Sequence, residues 1–109
     1  NMQNQTIQEG KTMAIIAYIF WLGLVISIYM NNKDKNTFTS FHIRQSFGIL
    51  LLNLAAGFAY NYIHPFFGST ILIVTIILWV LGIFSAFKGE EKEVPLLGAL
   101  FQDFFKGLS

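Results

Sequence analysis

The fold is decided by residues 45–87, which read QSFGILLLNLAAGFAYNYIHPFFGSTILIVTIILWVLGIFSAF. No Asp, Glu, Lys or Arg interrupts this stretch. A charged side chain at the bilayer centre costs about 2.5–3.5 kcal/mol, and a helix needs about 20 mainly apolar residues to cross the hydrocarbon. The stretch is long enough for two crossings, and His64 and Pro65 mark the break between them. It therefore predicts two antiparallel transmembrane helices, over residues 45–63 and 69–87.

A second uncharged stretch, residues 12–32, predicts another span over 12–30. The composition agrees, because 54% of the residues are hydrophobic and only 12% are charged, whereas soluble proteins carry about 25% charged residues. We therefore expect an all-α membrane protein with the lipid bilayer as its first partner. Its parts are a polar N-terminal tail over residues 1–11 and a single helical membrane domain over 12–109. That domain is predicted to be an antiparallel three-helix transmembrane bundle.

The segment that follows Pro95 predicts an interfacial amphipathic helix over about 95–108. On a helical wheel its large apolar residues share one half-circle, and Gln102, Asp103 and Lys106 lie in the other. A segment of this length cannot span a bilayer, so we expect it to lie in the interface. Its candidate docking residues are Phe101, Phe104 and Phe105.

The cationic residues predict the orientation of the chain in the membrane. With three crossings, one of the seven Lys and Arg residues falls on one side and six on the other. The side that carries more Lys and Arg faces the cytoplasm. We therefore expect the N-terminus outside, and the 31–44 loop and the C-terminus in the cytoplasm.

The second predicted span carries a stripe of polar and small residues along one face. We call it the interaction stripe, and its candidate site residues are His42, Gln45, Ser46, Asn53, Gly57 and Tyr60. In lipid such a stripe faces protein or water, because a buried amide needs a hydrogen-bond partner. Two interpretations stay open, which are helix packing and the lining of a groove or pore. The spacing Gly23-xxx-Ser27 also favours a close helix contact.

The sequence contains no signature of an enzyme or of a metal site. It has no cysteine, no H-E-x-x-H segment, no glycine-rich phosphate loop and no G-x-S-x-G segment. On one helix His42 and His64 stand about 33 Å apart, too far to bind one metal ion. A net charge of +1 argues against a nucleic-acid surface. We expect no catalytic residue, no cofactor and no bound metal.

Two short motifs resemble a known family. Residues 41–46, FHIRQS, are similar to the F-H-x-x-Q segment of a group of small bacterial multi-pass membrane proteins of unknown function. Residues 84–89, FSAFKG, are followed by Val94 and Pro95. This segment is similar to the one that ends the last helix in proteins of that group. The group is distantly similar to a small membrane subunit of the chloroplast inner-envelope protein-import translocon. The resemblance implies a multi-pass helical protein of the bacterial cytoplasmic (inner) membrane, and it marks His42 and Gln45 as family positions.

The functional prediction is an integral membrane protein without catalytic activity. We expect an accessory or scaffold subunit that binds other membrane components, as a homo-oligomer or within a larger membrane complex. The alternative is an oligomeric channel-like or protein-translocation subunit, similar to an import component.

Overall fold

The computed structural model describes residues 2–33 and 35–108, with the backbone alone at residues 2 and 3. Five α-helices and no strand occur in this described part of the chain. They are α1 (Met2–Ile16), α2 (Phe20–Lys33), α3 (Thr37–Tyr62), α4 (Pro65–Phe87) and α5 (Gly98–Phe104). The prediction of an all-α fold is confirmed.

Helices α3 and α4 form a long antiparallel hairpin. Pro65 stands at the start of α4, where its missing N–H costs no hydrogen bond. The side chain of His64 caps this helix, since Nδ1 accepts a hydrogen bond from the N–H of Phe66 at 3.0 Å. Gly68 then lies directly against the α3 backbone at Tyr60. The predicted spans 45–63 and 69–87 both lie in this hairpin and its turn.

The helices differ in whether their length and apolar composition allow them to span a membrane. Within the described residues, α4 is the one helix whose length and apolar composition suffice for a membrane crossing. Helix α3 is longer, at 26 residues, but includes the polar residues of the interaction stripe. The three-span arrangement is therefore not confirmed.

The first predicted span, 12–30, is wrong as a single helix. Helix α1 ends at Ile16 and α2 begins at Phe20, and the chain reverses between them. Ser27 Oγ donates a hydrogen bond to the Met13 carbonyl at 2.9 Å. Gly23 lies against the Ile16 carbonyl, where a Cβ would stand 2.3 Å from the oxygen. The Gly23-xxx-Ser27 spacing therefore serves a close contact between α1 and α2, which form a short hairpin.

The placement of the N-terminus corrects a second prediction. Residues 2–11 belong to α1 instead of forming a separate tail. The Asn36 side chain donates from Nδ2 to the Thr6 carbonyl at 2.8 Å, and Thr39 Oγ1 donates to the Gly10 carbonyl at 2.9 Å. The N-terminal segment and the 31–44 loop therefore lie at the same end of the molecule. The prediction that put them on opposite sides of a membrane is therefore not confirmed.

The C-terminal helix is shorter than the predicted 95–108. Helix α5 covers Gly98–Phe104, and Leu96 precedes it with a φ of 71° and a side chain that is 90% exposed. A positive φ at Leu96 breaks the helix before it can extend back to Pro95. The buried ring of Phe101 packs on Gly48 of α3, which fixes α5 against the hairpin.

Candidate functional site

The structure divides the interaction stripe into a buried half and an exposed half. His42, Gln45 and Ser46 are buried at the end of α3 that also holds the N-terminus, α5 and the 88–97 segment. The residues Asn53, Gly57 and Tyr60 lie further along the same helix and are exposed. The short α1–α2 hairpin accounts for this division, because it covers the stripe only as far as its tip reaches.

His42 is fully buried, and both of its ring nitrogens have partners. Nε2 lies 2.8 Å from the Glu90 carbonyl oxygen, and Nδ1 lies 2.6 Å from Tyr18 Oη. A carbonyl only accepts hydrogen bonds, so Nε2 carries the proton and donates to Glu90. In the neutral ring Nδ1 then accepts from the Tyr18 hydroxyl. Hydrogen bonds to two other chain segments therefore fix one tautomer of His42.

Gln45, one turn further along α3, continues this network. Its Nε2 donates to Tyr18 Oη at 3.0 Å, and its Oε1 accepts from the Val94 N–H at 2.9 Å. Ser85 of α4 completes the set, because its Oγ donates to the Glu90 carbonyl at 2.7 Å. We call Tyr18, His42, Gln45 and Ser85 the polar cluster. It joins the α1–α2 hairpin, both long helices and the 90–94 segment.

The hydrogen-bond directions in the polar cluster are mutually consistent. Gln45 donates to Tyr18, Tyr18 donates to His42, and His42 donates to the Glu90 carbonyl. Within the described residues, each buried side-chain nitrogen and oxygen has a hydrogen-bond partner. A buried polar network of this kind rigidifies a fold when every member is satisfied. The cluster therefore acts as a structural clamp.

The electrostatic environment keeps His42 uncharged. His42 precedes the predicted span 45–63. Burial lowers the pKa of its imidazole, and this effect is larger than that of the hydrogen bond to the Glu90 carbonyl, which raises the pKa. Three aromatic rings also meet its edges or faces at centroid distances of 4.8–5.4 Å, from Phe38, Phe41 and Tyr18. A neutral imidazole in an aromatic cage is consistent with the tautomer that the hydrogen bonds require.

Two further hydrogen bonds attach the tip of the α1–α2 hairpin. Ser46 Oγ donates to the Ala17 carbonyl, and Trp79 Nε1 donates to the Tyr18 carbonyl at 2.7 Å. These carbonyls lie at the end of α1, where the helix leaves its last carbonyls without internal partners. Side chains from α3 and α4 satisfy them instead, so the chain can reverse in an apolar setting.

The three candidate docking phenylalanines of the C-terminal segment are placed differently. Phe101 is buried on Gly48, and Phe105 packs edge-on against Phe47 with ring centroids 4.9 Å apart. Phe104 is 71% exposed. The Gln102 side chain also donates to the Phe41 carbonyl at 2.8 Å. Phe104 is therefore the member of this group that is open to a partner.

Sequence reasoning did not identify Tyr18 and Ser85 as site residues. Ser85 lies inside the FSAFKG motif, so the signal was present without an assigned role. Tyr18 carries a hydroxyl in an apolar run, and a hydroxyl buried there needs a partner. The backbone groups of Glu90 and Val94 carry no side-chain signal. The described residues include no group of three or more His, Cys, Asp or Glu placed to hold a metal ion.

Comparisons with known proteins give two matches. The sequence profile of the magnetosome magnetite crystal formation protein family matches residues 9–101. The chain is also 31% identical over 96 residues to the UPF0132 membrane protein of Methanocaldococcus jannaschii, with 84% of this chain and 67% of the relative covered. No solved structure gives a significant match. The predicted likeness to a small membrane-protein family is confirmed, and the likeness to the chloroplast import subunit stays a prediction.

Proposed function

This chain belongs to the magnetosome magnetite crystal formation protein family, and we propose that it is a non-catalytic accessory protein of the cytoplasmic membrane. One observation carries the proposal. The most distinctive polar residues of the sequence, His42 and Gln45, bind other parts of the same chain and hold three segments together, which are the α1–α2 hairpin, α3 and the 90–94 segment. The buried polar groups of the protein thus stabilise a rigid fold, and its exposed apolar surfaces are available to bind neighbouring molecules. We propose a scaffold role on this basis.

We propose that the α3–α4 hairpin crosses the membrane, with its 63–64 turn on the outer side. All seven Lys and Arg residues lie at the other end of the hairpin or in the segments attached there, and the turn carries none. With seven Lys and Arg residues on one side of the membrane and none on the other, the charge asymmetry is larger than the six against one of the three-span prediction. In this proposal the N-terminus and the C-terminus lie together in the cytoplasm. The 26 residues of α3 measure about 39 Å, enough to cross the hydrocarbon and enter the headgroups.

The α1–α2 hairpin enters the membrane from the cytoplasmic side without crossing it. Its tip exposes Phe20 and Trp21, at 84% and 62%, and such large apolar side chains gain from contact with lipid. The tip carbonyls are satisfied by Ser46 and Trp79. Non-helical backbone is tolerated at membrane depth where protein satisfies its polar groups. The hairpin is thus a re-entrant wedge beside α3 and α4.

A partner-binding test can use two exposed phenylalanines at opposite ends of the molecule. Phe104 is on α5, and Phe66 is 67% exposed beside the outer turn. We expect Phe104→Ser to reduce several-fold the recovery of a larger complex from native membranes in mild detergent. The matched variant Phe66→Ser removes an equal ring at the other end and should leave that recovery unchanged.

Two outcomes would contradict the accessory role. Crosslinked native membranes could yield only free protein for the unmodified chain, with no larger complex to lose. Alternatively, purified protein in liposomes could conduct ions or solutes above the level of empty vesicles. That second result would favour the oligomeric channel or translocation alternative.

A further inference from the structure

The α1–α2 hairpin is too short to cover the whole interaction stripe. Its two helices have 15 and 14 residues, whereas α3 has 26. The hairpin tip contacts Ser46 through Ala17. From Asn53 onward none of the described helices covers the stripe, and Gly57 and Tyr60 are exposed. The interaction stripe of α3 therefore packs against the α1–α2 hairpin near the cytoplasmic end of the helix and is uncovered toward its outer end.

A cavity of about 590 Å³ lies where the covered part of the stripe ends. Its walls are mainly apolar and come from the hairpin tip, α3 and α4. They include Phe20, Trp21, Asn53, Thr75 and Trp79. The polar groups of Thr75 and Trp79 already donate to the carbonyls of Ile71 and Tyr18. No described residue bonds to the Asn53 carboxamide, which lines this cavity.

The depth of Asn53 makes its carboxamide significant. In the proposed topology it stands nine residues before the end of α3, which is about 14 Å from the outer turn. That depth is close to the middle of a hydrocarbon layer about 30 Å thick. An amide that finds no hydrogen-bond partner there carries a desolvation cost of several kcal/mol. A lipid acyl chain could fill the apolar walls but has no group to bond to the amide.

We infer that the uncovered stripe is the contact between two copies of this chain. This inference rests on the proposed membrane crossing, because the cationic end gives every copy the same orientation. A two-fold axis along the membrane normal then sets Asn53 of one copy opposite Asn53 of its partner at equal depth. A carboxamide both donates and accepts, so the pair is self-complementary.

Gly57 supports the same interface one turn further along α3. A Cβ built at this position meets no atom within 4 Å. The absence of a side chain lets a second helix approach closely, as small residues do between membrane helices. One face of α3 thus contacts the α1–α2 hairpin of the same chain near the cytoplasm and the second copy further out.

The chain has no cysteine, so single cysteines can map this contact. Gly57→Cys and Ile73→Cys would be purified, reconstituted at one protein-to-lipid ratio, and oxidised. Ile73 is 59% exposed on α4, outside the stripe, and serves as the matched control. We expect a disulfide-linked dimer for Gly57→Cys and only background crosslinking for Ile73→Cys. Adding Asn53→Leu to Gly57→Cys should weaken dimerisation about 3- to 30-fold, and Asn53→Gln should retain most of it.

Equal crosslinking at the two positions would overturn the inference, as would unchanged dimerisation with Asn53→Leu. Native mass spectrometry that finds only monomers with bound lipid would also overturn it. These failures are distinct from failure of the proposed function. A monomer that still yields a larger complex with other proteins keeps the accessory role and loses only the self-contact.

Discussion

Replacing Gly68 by alanine is expected to separate the two long helices at the outer end of the hairpin. The new Cβ would stand 2.4 Å from the backbone nitrogen and Cα of Tyr60. Those atoms belong to the α3 backbone and cannot move aside as a flexible side chain could. Overpacking against a rigid neighbour costs roughly 1–3 kcal/mol and occasionally more. We expect a loss at the upper end of this range in the free energy of unfolding, measured by denaturant titration in detergent.

The matched control is Gly57→Ala on the facing helix. Both positions are helical glycines, but the Cβ at residue 57 meets open space in the single chain. Alanine is favoured over glycine in a helix interior by about 0.5–1 kcal/mol. At a detergent dilution at which two copies do not associate, Gly57→Ala should therefore leave the stability of the single chain unchanged or raise it. Similar destabilisation by the two substitutions would show that Gly68 does not set the approach of α3 and α4.

Replacing Gln45 by leucine is expected to disrupt the polar cluster. The substitution leaves the Val94 N–H without its acceptor, and Tyr18 Oη loses a donor. A buried polar group without a partner costs about 1–3 kcal/mol. Tyr18 Oη keeps its hydrogen bond to His42, so the main cost is the unpaired Val94 N–H, and we expect a loss of about 1–3 kcal/mol in the free energy of unfolding. Amide hydrogen exchange should also become faster in the 90–94 segment.

A double-mutant cycle with Tyr18→Phe tests whether the cluster is one network. Tyr18 and Gln45 share a hydrogen bond, so the double variant should lose less stability than the sum of the single variants. As a control, Asn61→Leu removes an exposed carboxamide bonded only to the Gly57 carbonyl of its own helix. It should change stability by less than about 0.5 kcal/mol. Strict additivity between Tyr18 and Gln45 would contradict the network.

The long hairpin could be predicted because its signals are local. The absence of charge in 45–87 gives the two apolar helices, and Pro65 gives the break between them. The helical period also collected the interaction stripe, from His42 to Tyr60, on one face of α3. These features depend on residues close together in sequence, so they are visible without a structure.

The reversal in the first apolar stretch could not be predicted, because its causes are remote in sequence. Residues 17–19 contain neither proline nor glycine, and Phe20 takes a φ of 53° without a glycine to favour it. The carbonyls that this turn frees from α1 are satisfied by Ser46 and Trp79. Only the folded chain brings those side chains to the turn.

The polar cluster could be predicted only in part, because some of its members are backbone groups. His42 and Gln45 stood out as polar residues at the start of an apolar helix. Their partners include the backbone carbonyl of Glu90 and the N–H of Val94, which every sequence position offers equally. The shortening of the C-terminal helix was also not predicted, because the positive φ of Leu96 has no glycine at that position to signal it.

We propose that one membrane hairpin carries both termini on the cytoplasmic side. Single cysteines at Gln8, Thr37 and Tyr62, all exposed, would be treated with a membrane-impermeant maleimide in right-side-out vesicles. We expect immediate labelling at position 62, and labelling at positions 8 and 37 only after the membrane is permeabilised. Labelling of position 8 in intact vesicles, with position 37 still protected, would contradict this topology and restore a first helix that crosses the bilayer.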